Sequence, residues 1–310
     1  MSLSKTPQTQ HVLTVDAEDW PALMCSYLGH AMPASAQFPE TLRRVMDLFD
    51  AHDAKATFFV VGTHAKDWPE VVREIVDRGH ELASHGWAHR KTDRLSPETF
   101  REDVRRSVGT LEDLTGVKVR GYRTPFFSLL PDHPWALEAQ IEAGLEYDSS
   151  IATLLWQRAG TPISDQPFLF ELAGGASIAE LPIPACKWGP LTVRLIGGRC
   201  MRVLPRSVAA GHVRRCEEAD LVGMMYLHSY EVPGLRLARH VPRGLGRKGA
   251  MLRASALPFE VGLGRMHRAT ADLLSAFRWA PACEVITRLR EQGRLATVRW
   301  PDPSASQEPR

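Results

Sequence analysis

Residues 55–86, KATFFVVGTHAKDWPEVVREIVDRGHELASHG, decide the fold. KATFFVVG is apolar, β-branched and aromatic, the composition of a buried strand. DWPE follows, with Asp67 and Glu70 spaced as a capping box. It opens the amphipathic helix PEVVREIVDRG, which Gly79 closes. HELASHG reads as the next strand. A strand–helix–strand order implies parallel strands with the helix packed outside them. Upstream, HVLTVD is a short buried strand ending in acids, and FPETLRRVMDLFDAHD is a helix with Leu42, Val45, Met46 and Phe49 on one face. Downstream, Ser96-Pro97 reads as an N-cap and first turn, and its helix runs to Gly116. VKVRGYRTP is a fourth strand, followed by the helix WALEAQIEAG and then LEYDSSI. This alternation predicts an α/β fold, either a barrel or a doubly wound sheet.

Beyond residue 151 the pattern weakens. Prolines and glycines in LPIPACKWGP and IGGRC suggest strands and loops around the mouth of the fold. SVAAGHVRRCEEAD is a helix, and LVGMMYLHSYEV is a strongly apolar strand ending in His228 and Glu231. Residues 236–265 are basic and glycine-rich. Two helices near 267–278 and 281–291 and a strand at ATVRW complete the chain. There is no internal repeat.

The whole chain has 310 residues, 44% of them apolar and 24% charged, with a formal net charge of +2. These values are ordinary for a globular protein and give no global pull toward nucleic acid. No apolar run is long enough for a membrane span. MSLSKTPQTQ has no apolar core or cleavage site, so no signal peptide is expected. Five scattered cysteines without a CxxC pair predict reduced thiols, which with the missing signal peptide point to the cytoplasm. None sits in an evident activating motif.

Chemistry-bearing residues recur at the ends of successive strands: Asp16, His85, Arg123 and Asp148. A (β/α) barrel builds its active site at such strand ends. TVDAEDW places three carboxylates within four positions. Such crowding raises a carboxyl pKa unless a cation lies between the groups. Asp16 and Glu18 alternate on a strand and point the same way, whereas Asp19 joins them only through a turn or bulge. The competing reading is a solvated acidic loop with Asp19 as a helix N-cap. His85 and His89 lie on one side of a helical turn or around a tight loop helped by Gly86. Two imidazoles and a carboxylate form a metal set with open positions, which suits catalysis. Arg123 is placed to hold a catalytic carboxylate by bidentate pairing. His228 ends a strand too apolar to be exposed, so it either lines a site or is a satisfied core histidine.

In this order the motifs resemble the NodB-like polysaccharide deacetylases, carbohydrate esterase family 4, and within them the subgroup associated with exosortase and exopolysaccharide clusters. TVDAEDW resembles the first motif and GHELASHGWAHR the second. Arg123 to Ser128 resemble the third, Tyr147 to Ser150 a YDSS stretch, and Leu227-His228 the last. The subgroup's LHPWE stands here as LHSYE, and its GGGYFRLLP resembles IGGRCMRVLP.

The resemblance implies a distorted (β/α)7 barrel with a C-terminal extension. It implies one domain over 11–300, with 238–300 subgroup-specific, between a flexible N-terminus at 1–10 and a flexible tail at 301–310. It implies zinc, or Co2+, Fe2+ or Mn2+, on His85, His89 and either Glu18 or Asp19. The implied reaction is removal of N-acetyl groups from an amino sugar of a poly- or oligosaccharide. Asp16 would be the base, Arg123 its orienting partner, His228 the acid, and the backbone N–H of Phe126 an oxyanion donor. Trp87, Pro125, Phe127 and Tyr230 would line the sugar cleft, with core packing as the alternative for the aromatics. The basic segment 236–253 is expected to be a solvated loop, a lid, or a contact for an anionic glycan or the inner membrane face. Two rival readings stand beside this one: hydrolysis of a small or cyclic amide or imide, as in allantoinase-like barrels, and an inactive glycan-binding protein.

Overall fold

A strand enclosed on both faces must be apolar along its length, and β1 (Gln10–Ala17) is buried from His11 to Ala17. The structure, a computed structural model, describes residues 9–27, 34–161, 163–188, 191–193, 197–231, 241 and 246–300. The expected flexible ends therefore lie outside the described residues but for 9–10, as do 236–240 and 242–245 of the basic segment.

β2 (Thr57–Val60), β3 (Glu81–Ser84), β4 (Gly121–Tyr122) and β5 (Tyr147–Asp148) follow β1 in parallel, each beside its predecessor. β6 (Phe168–Glu171) and β7 (Ser177–Glu180) form an antiparallel hairpin whose second strand adds in parallel to β5. β8 (Cys186–Trp188) and β9 (Leu191–Val193) pair only with each other among the described strands. β10 (Met224–His228) pairs in parallel with β1. β11 (Arg278–Ala280) adds to the start of β1, and β12 (Ala296–Arg299) runs beside β6. Seven strands, β10, β1 to β5 and β7, are thus parallel neighbours.

The sheet is rolled. Adjacent strands lie about 4.8 Å apart, so β4 would stand about 14 Å from β1 in a flat sheet. Yet Arg123, the residue after β4, places a guanidinium nitrogen 2.6 Å from the Asp16 carboxylate on β1. The Phe127 ring lies 5.5 Å from that of Tyr226 on β10. Side chains meet across several strands only when the sheet curls toward a barrel. Among the described residues no ladder joins β7 to β10, which is the distortion in the (β/α)7 architecture. Alternation along the strands sorts the core. Leu13, Val15, Phe58, Val60 and Leu82 pack outward, while Val12, Phe59, Ala83, Tyr147 and Ala179 fill the interior.

The helices Phe38–Asp50, Pro69–Asp77, Pro97–Thr115 and Pro134–Glu142 connect the parallel strands. Ser96 caps the third of these as expected, accepting from the Thr99 N–H. The capping box at Asp67 and Glu70 does not form. Asp67 ends the preceding helix Gly62–Asp67, and its carboxylate accepts from the Ala34 N–H, while Trp68 stands at the N-cap. Proline at the first turn opens the helix without a side-chain cap. Gly79 does close it. At φ +74° its N–H reaches the Val76 carbonyl, and the His80 N–H reaches that of Ile75. The weakly patterned stretch after 151 holds the helix Thr153–Arg158 and the two hairpins. Within the basic segment, Gly246–Glu260 is a helix rather than a loop. Its Leu252 and Ala256 pack with Trp20 and Tyr230.

Candidate active site

Strand register sets the site. Asp16 pairs with His228, Val60 with Ser84, Ser84 with Tyr122, Tyr122 with Asp148, and Asp148 with Glu180. The residues at or just past these positions share one rim: Asp16, Glu18, His85, Arg123, Ser149 and His228.

The histidines converge on one acid. Glu18 Oε1 lies 3.1 Å from His85 Nε2 and 2.8 Å from His89 Nε2. No helical turn carries this pair. The chain after β3 bends through Gly86 at φ +75° and His89 at φ +52°, and that loop folds the second imidazole back toward the first. Asp19 is turned elsewhere. Its carboxylate accepts from the N–H groups of Ala22 and Ser35 and from the Ser35 hydroxyl, at the start of the helix Trp20–Tyr27. Of the two candidate acids, Glu18 stands between the imidazoles and Asp19 serves as the helix cap.

The donor chemistry fits a cation. His85 Nδ1 lies 2.8 Å from the Arg123 carbonyl, which only accepts, so Nδ1 carries hydrogen and Nε2 is the nitrogen that faces Glu18. Glu18 Oε2 and His89 Nδ1 are buried without a hydrogen-bond partner. Burial works against the Glu18 carboxylate, but the His89 and His228 charges and the two imidazole contacts outweigh it, so its pKa falls well below the usual range. Burial pushes the His89 pKa down, against the opposing pull of Glu18. Neutral imidazoles and an ionised carboxylate are the forms that bind a divalent metal. The nearest nitrogen and oxygen atoms of Glu18, His85 and His89 lie within 4.8 Å of one another.

Asp16 is buried and accepts from Arg123 Nη1 at 2.6 Å. Arg123 is not a surface residue, and the pair is single-pronged rather than bidentate. Its other donors go to Thr14 Oγ1 at 3.1 Å, the Ser149 carbonyl at 3.1 Å and the Ser149 hydroxyl at 2.9 Å. The YDSS stretch thereby acquires a task. Ser149 holds the guanidinium. The Ser150 hydroxyl donates to Asp148 at 2.7 Å and accepts from the Thr124 N–H at 2.7 Å, which anchors the turn after Arg123. Asp148 is a brace within the rim rather than a group open to a ligand.

His228 stands across from Asp16. Its Nδ1 lies 3.0 Å from Glu231 Oε2, which also accepts the His228 N–H at 3.0 Å. Glu231 in turn meets Arg202 at 3.5 Å. Burial lowers the His228 pKa, but Glu231 and then Glu18 and Asp16 raise it more, to about 9. At neutral pH the ring is a protonated donor. Arg202 and Thr14 were missed in the sequence, and Glu231 and Ser149 were noted there without a role. LHSYE placed Glu231 three residues after His228, but nothing marked it as the partner.

The aromatics divide. Tyr230 stacks on His228 at 5.0 Å, and Phe126 meets His89 edge-on at 4.8 Å, so both border the site. Phe126 (φ +60°) and Phe127 (φ +53°) both take the left-handed conformation, unusual for bulky residues and concentrated at functional turns. Phe127 is core: its ring packs on Tyr226 beneath Arg123. Pro125 is buried against the Gly86 turn. Trp87 covers Gly62 and carries the Arg106 guanidinium 3.8 Å from its ring centroid. Those contacts tie it to the helices Gly62–Asp67 and Pro97–Thr115.

Known proteins resemble this chain in two regions. Residues 5–147 match the family model for polysaccharide deacetylase, and residues 149–287 match that of a domain of unknown function, DUF3473. The chain is 27% identical to a peptidoglycan-N-acetylglucosamine deacetylase of Bacillus cereus over 31% of its own length and 35% of the relative's. It is 30% identical to a peptidoglycan deacetylase of Helicobacter pylori over 35% of its length and 36% of the relative's. The chain thus spans about a third of the length of these curated relatives. A crystal structure from Mycobacterium smegmatis, assigned as a polysaccharide deacetylase, superposes with a TM-score of 0.64 at 20% identity, covering 98% of this chain and 97% of that one. That likeness shows the fold.

Proposed function

We propose, from the premise that residues 5–147 belong to the polysaccharide deacetylase family, that this protein is a metal-dependent hydrolase removing N-acetyl groups from amino sugars of a glycan. One observation carries the proposal. Asp16 and His228, a candidate base and acid, are register partners beside the Glu18–His85–His89 set. Zinc suits two imidazoles and one carboxylate, with Co2+, Fe2+ and Mn2+ as alternatives. Bound there, a divalent ion would polarise the acetamide carbonyl and lower the pKa of a water.

The residues of the chain would then divide the work. Asp16, held by Arg123, accepts the water proton as the oxygen attacks the carbonyl carbon. The Phe126 N–H donates to the developing oxyanion. His228, kept protonated by Glu231, gives its proton to the nitrogen as the C–N bond breaks. Acetate and a free amine leave. Tyr230 and Phe126 would meet the sugar.

One domain over 11–300 is our reading as well, because β10, from the second matched region, pairs with β1 of the first. No helix of the described residues is long and apolar enough to cross a membrane. The basic segment 236–253 has six arginines or lysines and no acid. Within it Met251 is 61% exposed, and Leu257 just beyond it 62%, which supports contact of this region with an anionic surface, such as phospholipid headgroups at the inner membrane face. An exopolysaccharide or cell-envelope glycan as the substrate and the cytoplasm as the compartment belong to the same proposal.

The test is acetate release from N-acetylglucosamine oligomers by the zinc-loaded protein. Acetate release that chelation abolishes is the expected result. Hydrolysis of a cyclic ureide without acetate release would support the imide-hydrolase reading. Oligomer binding without turnover would support the binding-protein reading, although Asp16 and His228 are both in place for catalysis.

A further inference from the structure

Ser229 follows the candidate acid and is fully buried. Its N–H donates to the Asp16 carbonyl at 3.0 Å. Its hydroxyl donates to the Glu18 carbonyl at 2.7 Å and accepts from the Glu18 N–H at 3.1 Å. The Glu18 N–H also bends back to the Asp16 carbonyl at 3.0 Å.

These bonds solve a problem that the sequence creates. The β1–β10 ladder ends at the pair Asp16–His228, and Glu18 lies two residues beyond it. Its peptide groups are buried, and buried N–H and C=O groups require partners. A hydroxyl can donate and accept at once, so one side chain satisfies both groups of Glu18. The Ser229 side chain thereby adds a rung to the ladder where the backbone has stopped supplying them. That rung fixes both ends of the residue whose carboxylate stands between His85 and His89.

We propose that Ser229 is the positioning residue of the metal set: it locks the Glu18 backbone and ties it to the strand end that carries His228. This rests on the function proposed above and adds a determinant of metal affinity that touches neither metal nor substrate. Outer partners of metal ligands typically change affinity about 10- to 100-fold when removed.

The experiment measures the zinc dissociation constant by competition with a chromophoric chelator, with melting of the metal-free protein alongside. Ser229→Ala is compared with wild type and with Thr153→Val, which removes a buried hydroxyl bonded to Asp165 and the Ile183 carbonyl away from the rim. Ser229→Ala is expected to weaken zinc binding about 10- to 100-fold. Thr153→Val is expected to lower the melting temperature without changing zinc affinity. If Ser229→Ala does not fold, Ser229→Cys keeps the size with a much weaker donor and carries the same expectation. Wild-type zinc affinity in a folded Ser229 variant overturns the inference and leaves the deacetylase reading intact. A wild-type protein that binds no divalent ion overturns that reading instead.

Discussion

Arg123 and Asp16 offer a quantitative check on the site. They are 0% and 2% exposed, and their contact of 2.6 Å is the shortest at the rim. Removing one partner of a buried ion pair strands the other charge, at about 3–5 kcal/mol. Arg123→Gln also withdraws donors from Ser149 and Thr14, so we expect about 4 kcal/mol of destabilisation. Asp16→Asn leaves an acceptor but strands the guanidinium, and about 3 kcal/mol is expected. The double variant strands neither charge. Its cost should be about 4–5 kcal/mol rather than the sum, a coupling of about 2–3 kcal/mol. Urea unfolding of the four metal-free proteins, followed by tryptophan fluorescence at neutral pH, measures the cycle. Single costs that add within about 0.5 kcal/mol would refute the claim that Arg123 and Asp16 act as a buried ion pair. A double variant about as stable as Arg123→Gln, yet inactive, would separate the structural pair from the candidate base.

Other consequences are simpler to test. Glu18→Gln should abolish the thermal shift given by zinc, which at 100 times the dissociation constant is worth about 2.7 kcal/mol, or about 4 °C for a chain of this size. Glu231→Gln removes the main cause that raises the His228 pKa, so the ring deprotonates sooner and the alkaline limb of the rate profile moves to lower pH. His80 is buried and its pKa lowered to about 4, so the unfolded chain binds an extra proton between about pH 6.5 and 4. Stability should fall by about 2 kcal/mol from pH 7 to 5 on this account, a slope that His80→Gln should flatten in urea titrations. An alanine Cβ at Gly121 would lie 2.0 Å from Tyr147 Cζ, so Gly121→Ala should cost about 3 kcal/mol, whereas Gly109→Ala, with open space in a helix interior, should gain about 1 kcal/mol in the same assay.

The parts of this molecule that could be read from sequence are those in which one local signal fixes one structural outcome. β2 and β3 are apolar runs bounded by polar turns, and they form where the pattern puts them. Ser96 has one hydroxyl and one orphan N–H to satisfy, and it does so. The strand-end polar residues were legible because parallel register carries Asp16, His85 and Arg123 to one rim whatever the loops do. What escaped depended on competition between partners. Asp67 had the spacing of a cap but was taken by the Ala34 N–H, 33 positions away. Glu18 and Asp19 differ by one position, and the choice between them turned on Ser35, which draws Asp19 into the helix cap. Trp87 lies between His85 and His89 in sequence, yet its ring packs against Gly62 and Arg106 from neighbouring elements. In each case the deciding atom comes from a distant segment. A close-range motif therefore identifies the residues able to do chemistry, while long-range hydrogen bonds decide which of them are left free to do it.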